Sequence, residues 1–216
     1  MDDVKPSPRR YRSPQRLRQA AETRESVLTA ARAVFLAQGW SQATIAGIAR
    51  QAKVSNETVY AVFGSKAALL QELVARAVRG DAPAIPLTDQ EMPRRIAAET
   101  DQSRQLDLFA DDIAAVLERV APLMDVARGA AAAADDIAGL LAGFHRGRRK
   151  NLEWFAAALL RNGPLRDGMD AVQAGAVLWR LASPDLFLLV RRVEGLSTEA
   201  YAAWLAQSLK LLLLAR

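Results

Sequence analysis

Cysteine is absent from the 216-residue sequence, and histidine occurs once, as His145. The chain can therefore form no disulfide, thiolate zinc site or cysteine nucleophile, and a single histidine excludes most histidine-rich metal sites. Aromatic residues make up only 6% of the chain, whereas alanine and leucine are abundant. Because alanine and leucine favour helices, we expect an all-α protein.

Long apolar runs are missing as well. No window approaches the roughly 18 uncharged apolar residues of a membrane span, and the run Leu211–Leu214 is much too short. The N-terminus begins Met1-Asp2-Asp3 and continues with prolines and arginines, which argues against a secretory signal. We therefore expect a cytoplasmic protein with no membrane partner.

Catalytic motifs are also lacking. The sequence contains no phosphate-binding loop, no nucleophile elbow and no pairing of cysteine with histidine. The Glu-x-x-His pattern of helical di-iron sites fails because Ala142, not glutamate, stands three residues before His145. We expect no enzyme activity, no metal and no cofactor.

Positive charge is concentrated in the first third of the chain. Residues 1–80 contain 13 Lys or Arg against 6 Asp or Glu, whereas residues 81–216 contain 16 against 18. Such an asymmetry indicates a polyanionic partner for the first part. Residues 1–22 read as a flexible basic arm, either a solvated tail or an arm that contacts DNA.

Four helices are predicted within residues 23–80. Apolar residues at helical spacing run from Thr23 to Gly39, and glycine provides the stop. Two very short helices follow, which Thr44 and Ser55 can cap, and a longer one runs from Lys66 to about Arg79. This region predicts one small helical domain.

The two short helices meet in a tight turn, Ala52-Lys53-Val54-Ser55, at helix-turn-helix spacing. Ala49 and Ala52 are small enough for the helices to cross closely. The third helix presents a polar outer face, with Thr58 near its edge, made of Asn56, Glu57, Tyr60 and Ala61.

A series of positions in a fixed order covers a little over a quarter of the chain: Arg24, Val27-Leu28, Ala30-Ala31, Val34-Phe35, Gly39, Thr44-Ile45, Ile48-Ala49, Ala52, Val54-Ser55, Thr58-Val59-Tyr60, Phe63, Ser65-Lys66 and Leu69-Leu70. With these residues, the segment resembles the DNA-binding domain of the TetR family of transcriptional repressors. The resemblance implies that Thr44 meets phosphate and that Tyr60 and Lys66 clamp the DNA backbone. It places on the recognition helix Ser55, Asn56, Glu57, Thr58 and Ala61. By their chemistry, Asn56 can bond adenine and Ala61 can contact a thymine methyl.

Two DNA-facing positions depart from the family pattern, which favours glycine at both. Lys53 stands where the backbone tends to be left-handed, at a cost of about 1 kcal/mol relative to glycine, and a phosphate contact could offset part of it. Glu57 is either a specificity element that accepts a hydrogen bond from cytosine or a mild liability that repels phosphates.

Residues 81–216 are predicted to be helical after a Gly/Pro/Asp-rich link. A long helix is expected over residues 103–134, and Pro122 must end or kink it. A short helix near 93–99 is expected before it, and further helices at roughly 136–162, 170–182, 184–193 and 198–214. The resemblance implies that this larger domain binds an effector and dimerises.

Candidates for an effector pocket are Phe109, Met124, Phe144, His145, Trp154 and Trp179. Large apolar residues at helical spacing usually form core, and a lone histidine is usually satisfied, so core packing is the alternative. One side of the last helix predicts a dimer interface formed by Tyr201, Trp204, Leu205, Leu209 and Leu212, with packing inside one chain as the alternative.

The sequence as a whole predicts a homodimer that binds double-stranded DNA at a palindromic operator, with a small molecule as its effector. The alternative is a DNA-binding dimer without an effector, acting as an architectural or constitutive regulator. A regulator that responds to a small molecule should have a cavity in the larger domain, whereas a DNA-binding dimer without an effector should have a filled core there. A helical adaptor would not need the residues between Thr44 and Lys66.

Overall fold

The computed structural model describes residues 14–80, 84–132 and 134–215, and most of these residues are helical. Residues 1–13, the greater part of the predicted basic arm, lie outside the described residues. The helices are α1 (Pro14–Gln42), α2 (Ile45–Ala52), α3 (Asn56–Phe63), α4 (Lys66–Arg79), α5 (Glu91–Ala98), α6 (Gln102–Ala131), α7 (Asp135–Leu160), α8 (Ala171–Leu181), α9 (Pro184–Leu189) and α10 (Thr198–Leu213). The described part contains no strand beyond an isolated bridge between Leu165 and Leu214, so the all-α prediction is confirmed.

Helix α1 begins at Pro14, nine residues before the predicted start, so residues 14–22 are helical and not part of a flexible arm. Proline is well suited to the first helical position, where its missing N–H is not needed. Arg18 and Glu22 form an ion pair one turn apart at 3.7 Å, which supports the exposed extension. The helix breaks at Gly39, whose φ of 69° confirms the predicted stop.

The first four helices enclose a small core. Its largest fully buried members include Phe35, Ile48, Leu69 and Leu70. The hydroxyl of Ser26 on α1 donates to the main-chain oxygen of Ala52 at 3.1 Å. This contact ties the end of α2, and with it the turn that follows, to the long first helix.

Helix α6 is the central element of the larger domain, and it packs against α1, α4, α7, α9 and α10. It runs through Pro122 without ending. Proline can donate no hydrogen bond to the preceding turn, but buried neighbours on both sides, Ala121 and Leu123, hold the helix against the core. Packing therefore outweighs the loss of one hydrogen bond.

Helices α7 and α8 approach each other closely at Gly175. A Cβ atom there would lie 2.8 Å from Glu153 Cγ and 3.1 Å from Glu153 Cα. Tyr201 fixes α10 in the same region, since it is fully buried and its hydroxyl donates to the main-chain oxygen of Leu181 at 2.8 Å. Among the described residues, no helix is both long and apolar enough to cross a membrane.

Candidate nucleic-acid interface

The turn between α2 and α3 is built around a left-handed residue. Lys53 has φ 57° and ψ 41°, which confirms the conformation expected at this position. The N–H of Val54 donates to the Ala49 oxygen at 3.0 Å, and the N–H of Lys53 donates to the Arg50 oxygen at 3.2 Å. These bonds close α2 in the manner of a Schellman motif, which requires the left-handed residue and aims α3 away from α2.

Both short helices begin at a capping hydroxyl, as predicted. Thr44 Oγ1 accepts from the Gly47 N–H at 3.0 Å, and Ser55 Oγ accepts from the Thr58 N–H at 3.2 Å. The hydroxyls of Ser55 and Thr58 also lie 3.1 Å apart and share a hydrogen bond. Ser55 and Thr58 therefore organise the start of α3 in addition to lying on its surface.

The outer face of α3 is the one that the sequence predicts. Asn56, Glu57, Tyr60 and Ala61 are exposed, with Tyr60 54% accessible, while Val59 is buried. These four side chains lie on one face of α3; two are polar, and two can contact a base or the DNA backbone. This face can enter a major groove of DNA while the core of the domain stays in place.

Glu57 has local partners that the sequence did not indicate. Hydrogen bonds from its own main-chain N–H and from the Ser55 hydroxyl hold the pKa of this fully exposed carboxyl below its usual value. A carboxylate in the first turn of a helix is also favoured by the helix dipole. Glu57 therefore stabilises the start of α3 even without a base partner.

Lys66 has a position that differs from that of a free backbone clamp. Its Nζ donates to the main-chain oxygens of Trp40 at 2.7 Å and Ala43 at 2.9 Å, and lies 4.0 Å from the centre of the Trp40 ring. Partial burial lowers the pKa of this amine. Two of its three N–H groups thus connect α4 to the end of α1, which leaves one for a phosphate.

Arg24 joins three helices of the domain, a role that the sequence did not reveal. Its guanidinium lies 4.5 Å from the centre of the Phe63 ring on α3 and 3.2 Å from the Glu72 carboxylate on α4. Glu72 also accepts from Arg76 at 3.2 Å. In the sequence, Arg24 stands out only because it directly precedes the apolar stripe of α1. Its partners Phe63 and Glu72 are distant in sequence, so the pattern of residue types does not indicate these contacts.

The effector-pocket candidates separate into two groups. Phe109 is buried and stacks on Phe155 with 4.3 Å between ring centroids, and Met124 is buried in the core. Phe144 and Trp154 are half-buried and pack against that core. All four take part in core packing, and their assignment to an effector pocket stays a prediction.

His145 and Trp179 lie together, with ring centroids 6.0 Å apart. Arg148, which no sequence pattern singled out, lies with its guanidinium carbon 4.7 Å from the centre of the Trp179 ring. Burial lowers the pKa of Arg148 to about 10, and burial followed by the charges of Arg148 and Arg128 lowers the pKa of His145. At neutral pH the cluster is therefore a cationic guanidinium beside an uncharged imidazole.

Helix α10 corrects the predicted dimer surface. Tyr201, Leu205 and Leu209 are fully buried in their own chain and cannot contact a partner. The alternative of packing within one chain is right for these three residues. Trp204 and Leu212 remain partly exposed, at 38% and 45%, and they are joined on the surface by Leu211 at 62%.

Comparison with known proteins agrees with this architecture. A family profile described as "Bacterial regulatory proteins, tetR family" matches residues 27–73, which include the turn and α3. The N-terminal domain is therefore similar to the DNA-binding domain of the TetR family. Over 100 residues it is 36% identical to the HTH-type transcriptional repressor BepR of Brucella suis biovar 1, a match that covers 46% of this chain and 44% of that protein. The chain thus matches less than half the length of this curated relative.

Solved structures extend the likeness to the larger domain. NalD, the secondary repressor of the MexAB-OprM multidrug efflux pump in Pseudomonas aeruginosa, superposes with a TM-score of 0.69 at 21% identity over 91% of this chain and 98% of that one. FadR of Bacillus subtilis in complex with stearoyl-CoA gives 0.67 at 17% identity over 86% and 97%. At such identities the likeness establishes the fold of both domains.

Proposed function

We propose that the chain is a sequence-specific DNA-binding repressor that acts as a homodimer on a palindromic operator and responds to a small molecule. The observation that carries the DNA-binding part is the exposed face of α3, with Asn56 and Tyr60 at its centre, set by the left-handed turn at Lys53. The family of the N-terminal domain and the name of the repressor BepR support the same conclusion.

Dimer formation is supported by the exposed apolar residues of α10. Trp204, Leu211 and Leu212 lie on the surface of a helix whose other side is buried, and such a patch is typical of a subunit interface. A single short helix reads too few base pairs for useful specificity. Two copies of α3 related by a two-fold axis, about 34 Å apart, would read successive major grooves.

A ligand response requires contacts that link the two domains. Both α1 and α4 pack against α6, and Arg119 Nε on α6 donates to the main-chain oxygen of Ala77 on α4 at 3.0 Å. A shift of α6 on ligand binding would therefore move α4 and the domain that carries α3. The spacing of two recognition helices would change, and DNA affinity would fall by population shift.

The test is selection of bound fragments from a random double-stranded DNA pool by the purified full-length protein at near-physiological salt. We expect enrichment of an inverted repeat. Salt-sensitive binding without an enriched repeat would contradict sequence-specific dimeric binding, and a protein that binds no DNA in any ligand state would contradict the proposal entirely.

Single variants distinguish residues that recognise bases from residues that contact the DNA backbone. Asn56→Ala should relax the preference at one base pair per half-site, whereas Tyr60→Phe should weaken binding equally across sequences. Lys53→Ala should reduce the magnitude of the salt slope by about 0.9 for each phosphate that the lysine neutralises. Lys150→Ala, an exposed lysine in the larger domain, is the charge-matched control and should change none of these properties.

A further inference from the structure

Arg148 is a partly buried cation whose hydrogen bonds use only part of its guanidinium. Nη1 donates to the main-chain oxygens of Trp179 and Ala182, both at 2.9 Å, at the C-terminal end of α8. The opposite edge, formed by Nε and Nη2, meets no acceptor among residues 14–80, 84–132 and 134–215. That edge is the one that binds a carboxylate through two parallel hydrogen bonds.

No carboxylate of the described residues neutralises Arg148. The acids nearest in sequence on α7 and α9 have other partners, since Glu153 pairs with Arg149 at 2.9 Å and Asp185 pairs with Arg128. A buried charge is normally paired, because its desolvation is otherwise uncompensated. The fold thus holds a positive charge in place without supplying its counter-charge.

Two further buried nitrogen atoms, on the neighbouring rings of His145 and Trp179, also lack partners. In the described part of the chain, His145 Nδ1, Arg148 Nε and Trp179 Nε1 are the buried side-chain atoms that form no hydrogen bond. All three belong to the cluster in which the rings lie 6.0 Å apart and the guanidinium lies 4.7 Å from the indole. Buried polar atoms are nearly always paired, so three unpaired atoms in one cluster indicate a missing partner.

We propose that His145, Arg148 and Trp179 form a subsite for the carboxylate of an organic anion, the effector class of this protein. The carboxylate would accept two hydrogen bonds from Nε and Nη2 of Arg148 and a third from Trp179 Nε1. His145 would donate from Nδ1 in the matching tautomer. This inference rests on the proposed function, because it names the chemistry of the ligand that the repressor would sense.

The composition of the site favours a singly charged carboxylate with an apolar body over an inorganic dianion. Arg148 supplies the one full charge, and the lowered pKa of His145 keeps the imidazole neutral. Leu152 and Leu178 are buried on the same two helices, and Val177 and Leu181 pack against the core beside them. These apolar surroundings suit a carboxylate with an apolar body better than a strongly hydrated dianion.

The experiment is calorimetric titration of the full-length protein with octanoate and benzoate, each matched by its uncharged amide. We expect each carboxylate to bind at least about tenfold more tightly than the amide of the same shape, as for a charge-assisted bidentate pair. Arg148→Met should abolish this preference, whereas Arg149→Met, which removes an exposed neighbour, should keep it. Equal binding of acid and amide, or no binding of either carboxylate, would overturn the inference.

Two milder variants guard against misfolding. Trp179→Phe keeps the ring under the guanidinium but removes the Nε1 donor, and should weaken octanoate several-fold, with Trp154→Phe as control. Arg148→Lys keeps the charge but loses the planar edge, and should also weaken it. If both variants bound octanoate as the unaltered protein does, the assignment of the three donors would be overturned.

DNA binding separates this inference from the proposed function. Arg148→Met should bind the selected DNA as the unaltered protein does, but without release by octanoate. A protein that reads DNA and binds no carboxylate would overturn the subsite and leave the proposed function intact. A protein that binds carboxylates through Arg148 but binds no DNA would support the subsite and overturn the proposed function.

Discussion

Replacing Lys53 with glycine should stabilise the protein, because the backbone at this residue is left-handed. At φ 57° and ψ 41°, Lys53 lies in the centre of the left-handed region, which costs a residue with a side chain about 1–2 kcal/mol. Glycine loses more conformational entropy on folding, which offsets about 0.5–1 kcal/mol of that gain. The net expected stabilisation of Lys53→Gly is about 0.5–1 kcal/mol.

Thermal unfolding followed by circular dichroism is the assay. For a chain of this size, each kcal/mol corresponds to about 2–4 °C, so Lys53→Gly should raise Tm by about 1–4 °C. Lys53→Ala is the matched control, since it removes the same charge and keeps the left-handed cost. Its Tm should remain near that of the unaltered protein.

DNA binding provides an independent measurement on the same pair of variants. If Lys53 neutralises a phosphate, both variants remove the same cation, and the salt slope falls equally by about 0.9 in magnitude. A Tm for Lys53→Gly that is lower than, or equal to, that of Lys53→Ala would refute the reasoning from backbone conformation. Different salt slopes would show that the turn itself has moved.

Three further predictions concern the larger domain. His145 is the only histidine of the sequence, and folding lowers its pKa. The unfolded chain therefore binds a proton at this residue first, and the free energy of unfolding should fall as the pH drops below about 6.5. His145→Gln should remove this contribution to the pH dependence, and NMR titration of the imidazole measures its pKa. Trp204→Ser combined with Leu211→Ser should shift sedimentation from dimer to monomer, and an unchanged dimer would place the interface elsewhere. Gly175→Ala should cost about 1–3 kcal/mol in urea unfolding, because its Cβ would overlap Glu153; an unchanged midpoint would mean that α7 and α8 separate freely.

The helix-turn-helix could be predicted from sequence because its determinants are local. Thr44 and Ser55 each cap a helix through an N–H three residues ahead, and the turn at Lys53 is closed by bonds within five residues. The exposed face of α3 follows from the spacing of one buried residue, Val59, against its neighbours. Interactions between residues so close in sequence require particular residue types at fixed spacings, which can be recognised in the sequence.

The sequence by itself therefore determined an all-helical chain, its turn and the outer face of its recognition helix. Tertiary structure alone decided that Lys66 donates to carbonyls 26 and 23 residues away, and that Tyr201 faces inward while Leu211 faces solvent. It also brought Arg148 to the end of a helix 31 residues further on. On a helix with apolar residues on every side, the periodicity of residue types does not distinguish one side from another. Only the packing of neighbouring helices decides which side is buried and which polar atoms meet.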